Sequence, residues 1–328
     1  MTERRTHWVD TLKAFSILAV VVGHIATPLT GPIFAWHMPL FFFIAGFFLK
    51  PSGFSSSSFL KDLRRLMVPF VVFGLIGILA EFTKRHFFPG YSFIVSNVNL
   101  RQELIGTFYW MDMSHMEHYG FVLWFLPALL WGRTAAHWLI KLTSPLLAVA
   151  IAAVVFGLTV WLPITLPLAI DKGLIGLIWI VLGYYFFSYY QALTITPAKR
   201  GLAVSVLLVL LALLPLPLLN LATKTFSAPA YNLLYSLIVI GLAVLITSFF
   251  QRPAPKPIRL WGLNTLTVFI IHPYTNNVGY LISQKLAGGA WELTLLISII
   301  LLYIVIVLKD YGWKKLRHTD LARYLQSA

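Results

Sequence analysis

Three ionisable residues interrupt an apolar run near the start of the chain, and their types are those of a catalytic or binding site. The run is WVDTLKAFSILAVVVGHI at residues 8–25, and the three residues are Asp10, Lys13 and His24. A charged side chain at mid-bilayer costs about 2.5–3.5 kcal/mol on insertion scales, so such residues face a bundle interior or a wet cavity. On a helix, about 1100° separates Lys13 from His24, close to whole turns, and Asp10 lies one turn before Lys13. The spacing predicts one polar stripe, which serves either chemistry or a structural ion pair with a packed histidine.

A second apolar run also carries a histidine near one end. AWHMPLFFFIAGFFL at residues 35–49 places His37 about five residues inside the outer end of a predicted helix, and His24 has a similar position in the first helix. We therefore expect the two imidazoles at similar depth. Histidine titrates near neutral pH and is the usual general acid or base. Such a pair suits a catalytic site, a proton relay or a weak metal site.

A third histidine lies late in the chain, in LWGLNTLTVFIIHPYTNN at residues 260–277. Asn264, His272 and Asn276 are eight and four residues apart, which places them on one helix face. Pro273 has no amide hydrogen, so it should kink the helix and free a carbonyl near His272. We expect this face to serve acceptor binding or proton transfer, and a helix-packing role is the equally open alternative.

A basic cluster formed by Lys61, Arg64 and Arg65 precedes the third predicted helix. Charge alone favours ordinary anchoring at the cytoplasmic membrane surface, whereas clustered Arg and Lys at a helix start also suit phosphate oxygens. The run from His115 to His118 matches no standard metal-ligand spacing, so no metal is expected.

The composition indicates the class of protein in which these residues lie. The 328 residues are 59% hydrophobic and 11% charged, against about 45–50% and about 25% in soluble domains. The mean hydropathy is +0.82, and apolar runs of membrane-spanning length recur. The sequence predicts an all-α polytopic membrane bundle, with one integral membrane domain over residues 1–328 and no separate soluble domain. The ten predicted spans are 8–29, 32–49, 66–82, 120–140, 145–163, 168–190, 200–221, 229–250, 260–284 and 290–309.

Charge asymmetry orients this bundle. With the N-terminus inside, 18 of the 25 Lys and Arg residues fall on the inner side and 6 on the outer side. The positive-inside rule then places both termini in the cytoplasm. We expect the chain to lie in the cytoplasmic (inner) membrane. The net charge of +14 follows largely from this asymmetry, and it indicates an anionic membrane surface rather than nucleic acid as partner. The aromatic outer segment 83–119 is either a solvated loop or a lid over a polar acceptor such as a sugar.

Several motifs together resemble one protein family. Lys13, ten further residues and His24 resemble the Arg/Lys-x10-His motif of the membrane acyltransferase family 3. Other stretches are similar to the fucose 4-O-acetylase-like subgroup, namely WVDTLKAF, FAWHMPLFFFIAGFFL, LWFLPAL and NTLTVFIIH. The resemblance covers nearly the whole chain, including the count of ten helices.

This resemblance implies transfer of an acyl group, usually acetyl, from cytoplasmic acetyl-CoA to a hydroxyl of an extracytoplasmic carbohydrate, without a tightly bound cofactor. It makes His24 the catalytic histidine, acting as base or acyl carrier, and Lys13 its basic partner, which Asp10 can orient. The family's Arg-x-x-Arg element falls on Lys61 and Arg64, so lysine takes the first place here, and Arg65 is a further candidate for binding acyl-CoA.

Two other functions fit the same intramembrane residues. Ionisable groups inside a membrane also mark the pathway of a proton-coupled transporter or exporter of a polar or glycan-linked solute. The sequence shows neither the inverted repeat nor the paired broken helices that are usual in such transporters. The other alternative is a non-enzymatic bundle in which the stripe is structural. Oligomeric state has no signal in the sequence.

Overall fold

The computed structural model describes residues 7–51, 55–87, 99–190, 196–250 and 254–316. These residues are overwhelmingly helical, which confirms the all-α class. A short antiparallel pair, β1 (Leu219–Asn220) and β2 (Thr225–Phe226), is a minor addition. The α-helices in chain order are α1 (His7–Gly23), α2 (Thr30–Phe34), α3 (His37–Gly46), α4 (Ser56–Phe87), α5 (Leu100–Ile105), α6 (Phe125–Leu142), α7 (Pro145–Trp161), α8 (Ile170–Tyr190), α9 (Pro197–Leu213), α10 (Pro229–Thr247), α11 (Lys256–Leu263), α12 (Thr265–Ala287) and α13 (Trp291–Leu316).

Two predicted continuous helices are interrupted in the structure. The span 32–49 becomes α2 and α3, and Trp36 between them has a non-helical φ of −147°. The break precedes Pro39, which is tolerated in the first turn of a helix but not in its interior. The span 260–284 is broken at Asn264, whose side chain competes for a backbone carbonyl, as Asn commonly does at helix boundaries.

Four of the described helices are long and apolar enough to cross a membrane: Ser56–Phe87, Pro167–Tyr190, Pro229–Thr247 and Trp291–Gly312. The segments Thr30–Gly46 and Pro145–Trp161 are apolar but shorter. This set indicates a membrane protein, while the ten-span arrangement and the cytoplasmic termini stay predictions. Residues 88–98 of the outer segment, and residues 251–253 between the predicted spans 229–250 and 260–284, lie outside the described residues.

The chain divides into two compact units, and each is described by itself. The first consists of the described parts of Met1–Thr30 and Phe250–Ala328 and contains α1, α11, α12 and α13. In it, α1 packs on α11 and α12, and α12 packs on α13. Gly262 of α11 touches α1 so closely that a Cβ there would lie 2.1 Å from the carbonyl oxygen of Asp10. Glycine is therefore required where these two backbones meet. The prediction of one domain over 1–328 stays a prediction.

The second unit, Gly31–Phe249, is built around α8, which packs against α3, α6 and α7. Small residues again let the backbones touch. A Cβ at Gly183 would lie 2.0 Å from the carbonyl oxygen of Phe43, and one at Gly173 would lie 2.6 Å from that of Ala128. Close backbone approach of this kind is how apolar helices associate where lipid removes the hydrophobic driving force between them. Helices α3, α6 and α8 thus form a closely packed scaffold.

Candidate active site

The polar stripe predicted from residues 8–25 lies on α1. Asp10 and Lys13 are one turn apart, and Oδ1 of Asp10 lies 3.9 Å from Nζ of Lys13. Both side chains are largely buried, with 12% and 25% of their surfaces exposed. Because α1 is continuous from His7 to Gly23, the rise of 1.5 Å per residue puts His24 about 16 Å from Lys13 along the axis. The two side chains therefore start about three helical turns apart.

The His24 imidazole has a defined orientation. Its Nδ1 lies 2.9 Å from the carbonyl oxygen of Val20, one turn earlier. A carbonyl oxygen only accepts hydrogen bonds, so Nδ1 carries the hydrogen and donates it. In the neutral ring, Nε2 then carries the basic lone pair. This tautomer is the one needed by a general base or a nitrogen nucleophile at Nε2.

His272 has the same tautomer for a different reason. It is fully buried on α12, and its Nδ1 donates to the carbonyl oxygen of Phe269 at 2.7 Å. In an uninterrupted helix that carbonyl would bind the amide hydrogen of residue 273. Pro273 has no such hydrogen, so the Phe269 carbonyl is available to the histidine ring. The freed carbonyl expected near His272 is present, and it orients the ring.

The structure brings His24 and His272 together within the first unit. Their ring centroids are 4.9 Å apart, and the planes meet at 64°. Asn276, one turn beyond His272, donates to the carbonyl oxygen of Val21 at 3.0 Å and so joins α12 to the end of α1. Ser298 of α13 in turn donates to the side-chain oxygen of Asn276. Three helices thus fix the spacing of the two imidazoles.

Asn264 does not join this pair. It lies between α11 and α12, where its Nδ2 donates to the carbonyl oxygen of Leu260 at 2.9 Å and its Oδ1 accepts from Nζ of Lys309. Eight residues of helix put it about 12 Å from His272 along the axis. In the structure Asn264 is a helix-junction residue, and its role in acceptor binding or proton transfer stays a prediction.

His37 lies in the second unit, as the first residue of α3. Its Nδ1 donates to the carbonyl oxygen of Ile33 at 2.9 Å, so its lone pair is also on Nε2. The ring is nearly buried and lies 5.0 Å from the ring of Phe34. The expected equal depth of His37 and His24 stays a prediction.

The basic cluster of Lys61, Arg64 and Arg65 lies in the first three turns of α4, and all three side chains are exposed. Ser55 and Ser58 cap the start of this helix by exchanging two hydrogen bonds. The Ser58 amide donates to Oγ of Ser55 at 3.3 Å, and the Ser55 amide donates to Oγ of Ser58 at 2.8 Å. Such a cap satisfies two amides that the helix leaves without partners. The cluster is thus presented on a defined helix start.

Comparison with known families identifies the chain. Residues 6–309 match the model of a family described as an acyltransferase domain. The chain belongs to acyltransferase family 3. No curated protein and no solved structure matches it. Its apolar helices and this family together make it a membrane acyltransferase, which requires an acyl donor and an acceptor.

Another buried histidine of this acyltransferase, His118, has the opposite tautomer. Nδ1 of His118 accepts a hydrogen bond from the Gly120 amide at 2.9 Å, so Nε2 carries the hydrogen and lies 2.9 Å from Oγ1 of Thr107, to which it donates. Burial lowers the pKa of His118 to about 4 and raises the pKa of Glu103 nearby. The other member of the predicted run, His115, stacks on Trp110 at 4.9 Å. Over the described ranges, no group of three His, Asp or Glu residues could hold a metal.

A buried ionic network in the second unit was not anticipated from the sequence. Lys172 donates to Asp112 and to Asp171, the latter at 3.3 Å, and all three are about 1% exposed. Lys224, in the turn between β1 and β2, lies 3.4 Å from Asp171 and donates to the carbonyl oxygen of Ile164 at 2.7 Å. Both lysines are among the six cations counted on the outer side, and the count gives no sign of their burial. Their partners lie up to 60 residues away, so only the fold brings them together.

Proposed function

We propose that this acyltransferase moves an acetyl group from acetyl-CoA to a hydroxyl of an extracytoplasmic carbohydrate, as the likeness of residues 35–49 to fucose 4-O-acetylase-like proteins suggests. The observation that carries the proposal is the pair of imidazoles, His24 and His272, each with its lone pair on Nε2. The donor would bind from the cytoplasm and the acceptor from the other side of a ten-helix bundle in the inner membrane.

His24 can act at its Nε2 in two ways. As a general base it removes the acceptor's hydroxyl proton, the oxygen attacks the thioester carbonyl, and the CoA thiolate leaves and takes the proton back. As a nucleophile it attacks the thioester carbon itself, CoA leaves, and the acetyl group is held on Nε2 until the acceptor hydroxyl attacks it. The products are the same ester and free CoA in both routes.

His272 is the natural second proton acceptor in the nucleophilic route. While Nε2 of His24 holds the acetyl group, that nitrogen has no lone pair with which to take the acceptor's proton. His272 presents a second Nε2 lone pair, and its ring centroid is 4.9 Å from that of His24. A buried base at this distance can receive the proton directly or through one water.

Lys13 acts on the donor rather than on the reacting acetyl carbon. Its position about 16 Å from His24 excludes simultaneous contact of both side chains with one carbonyl group. The carboxylate of Asp10 lies 3.9 Å from Nζ of Lys13 and restrains that ammonium group. A restrained cation in a low-dielectric site stabilises an anionic substrate strongly, because it needs no reorganisation when the substrate binds.

The basic cluster is proposed to bind the phosphates of CoA. Three exposed cations on one helix start give the density of positive charge that phosphate oxygens require, and arginine supplies paired donors. His37 is the candidate for contact with the acceptor, since it presents an Nε2 lone pair that accepts from a hydroxyl.

The test is transfer of labelled acetyl from acetyl-CoA to carbohydrate acceptors by the purified protein in lipid nanodiscs. We expect label in the carbohydrate fraction with the native protein and a loss of about 10²–10⁴-fold in His24→Ala. His86→Ala, which removes an exposed histidine on α4, is the matched control and should retain full activity. Transfer that survives His24→Ala undiminished would contradict the mechanism.

The two routes are separated by omitting the acceptor. The nucleophilic route predicts one acetyl group per protein when the protein is mixed rapidly with labelled acetyl-CoA and analysed at once at neutral pH, where an acyl-imidazole survives longer than in acid, and none in His24→Ala. The general-base route predicts no labelled protein in either sample, although both routes give labelled product when the acceptor is present.

A further inference from the structure

The structure pairs Asp62, a residue inside the basic cluster, with an arginine on another helix. Nε of Arg133 on α6 donates to Oδ2 of Asp62 at 3.2 Å. Nη1 of the same guanidinium donates to the carbonyl oxygen of Ala45, in the last turn of α3, at 3.1 Å. Neither Arg133 nor Asp62 was singled out from the sequence, because they are 71 residues apart.

Asp62 can compete with an anionic ligand for the cations of the basic cluster. It lies three residues before Arg65, the spacing at which opposite charges on a helix pair. A carboxylate turned toward Arg65 would neutralise one of the three cations and repel an incoming phosphate. Binding of a polyanion at this helix start therefore requires that Asp62 be held elsewhere.

Arg133 holds Asp62 from a well-fixed position. The residue before it, Gly132, packs against α8, where a Cβ would lie 2.9 Å from the carbonyl oxygen of Gly173. The side chains of Arg133 and Asp62 are only 16% and 23% exposed, so solvent screens their attraction less than it screens a surface pair. The bond to Ala45 adds a second anchor, and the guanidinium thereby connects α4 and α3 to α6.

We propose that Arg133 is a positioning residue for the acyl donor: by holding Asp62, it keeps this carboxylate from pairing with Arg65 and from repelling an anionic, phosphate-bearing donor at the basic cluster. The inference rests on the proposed function, in which that donor is acetyl-CoA. It assigns Arg133 no contact with the reacting atoms, so its loss should weaken donor binding while leaving the chemical step nearly unchanged.

The experiment measures CoA binding and acetyl-CoA kinetics in four proteins: the native chain, Arg133→Gln, Asp62→Asn and the double variant. We expect Arg133→Gln to raise the Kd for CoA and the KM for acetyl-CoA about tenfold, with kcat within about twofold. The double variant should return both constants to near the native values, because no carboxylate is then present to compete. Arg101→Gln, which removes an exposed arginine of α5, is the matched control and should change neither constant.

The rescue separates this electrostatic role from a merely structural one. If Arg133 only stabilises the position of the start of α4, the double variant binds CoA as weakly as Arg133→Gln does, and the inference is overturned. Should Arg133→Gln fail to fold, Asp62→Asn alone decides: unchanged or tighter CoA binding supports the inference, and a tenfold weaker one overturns it. A native protein with no saturable CoA binding refutes the proposed donor itself, whereas native binding that Arg133→Gln leaves unaltered refutes only the role of Arg133.

Discussion

His118 of the second unit carries its proton on the opposite ring nitrogen from the pair His24 and His272 of the first unit. In the first unit, Nδ1 of His24 and of His272 donates to a backbone carbonyl, and Nε2 carries the lone pair. In the second unit, Nδ1 of His118 accepts from a backbone amide, and the Nε2 hydrogen is directed at a threonine hydroxyl. His272 and His118 are both fully buried, so burial does not distinguish the proposed reactive pair from His118. The backbone partner of Nδ1 does.

The largest effect that tests this comparison comes from exchanging the two kinds of histidine for alanine. His24→Ala should lower the rate of acetyl transfer about 10²–10⁴-fold, since a base or nucleophile is lost. His118→Ala should instead lower the yield of folded protein and leave the transfer rate per folded molecule within about twofold. Rates normalised to folded protein from size-exclusion chromatography distinguish the two outcomes. Equal losses in both variants would break the comparison.

A smaller effect is expected from Pro273→Ala. The new amide hydrogen would bind the Phe269 carbonyl, and Nδ1 of His272 would lose its partner. We expect transfer to fall about tenfold, the scale of one orienting hydrogen bond, while the helix itself is stabilised. The control is Pro145→Ala in the first turn of α7, where no interior helix bond is missing. A transfer rate that Pro273→Ala leaves unchanged would show that the freed carbonyl has no part in orienting His272.

The pH dependence of stability tests whether His118 is buried in its neutral form. Its folded pKa of about 4 lies below the unfolded value of about 6.5, so stability is full above pH 6.5 and is lost as pH falls toward 4. We expect the Tm to drop by about 4 °C more between pH 7.5 and 5 in the native protein than in His118→Gln. The raised pKa of Glu103, whose carboxylate lies 3.9 Å from Nε2 of His118, acts in the opposite direction in both proteins. Identical pH profiles would contradict the burial of a neutral His118.

The smallest effect is expected at His115, which stacks on Trp110 and is exposed. Replacing it with alanine should change the Tm by no more than about 1–2 °C and the transfer rate not measurably, as for most surface substitutions. A loss of activity comparable to that of His24→Ala would point to a function of the His115–His118 run that its geometry does not indicate.

Local pattern was sufficient for much of the fold and for the polar stripe. Apolar runs located a helix within each predicted span, and the arithmetic from Lys13 to His24 holds because α1 is continuous. The breaks at Trp36 and Asn264 were missed because both lie inside uninterrupted apolar runs, where composition signals a single helix. A freed carbonyl near His272 was predictable because Pro273 acts on a residue four positions away.

Contacts between residues that are distant in the chain could not be predicted from the sequence. Residues far apart in the chain meet in the edge-to-face contact of His24 with His272, in the bond of Lys172 to Asp112 and in the pair of Arg133 with Asp62. Asn264 shares a helix face with His272 by spacing, and nothing in the sequence indicated that its side chain bonds to Leu260 and Lys309 at a helix junction. Periodicity assigns a face, and packing decides what that face contacts.

The central claim is that Nε2 of His24 performs the acyl transfer while Nδ1 only orients the ring. His24→Asn tests it most directly, because the asparagine amide can still donate to the Val20 carbonyl but supplies no basic nitrogen at the Nε2 position. We predict a protein that folds and binds CoA like the native chain and transfers acetyl about 10²–10⁴-fold more slowly. Transfer by folded His24→Asn at the native rate would contradict the account.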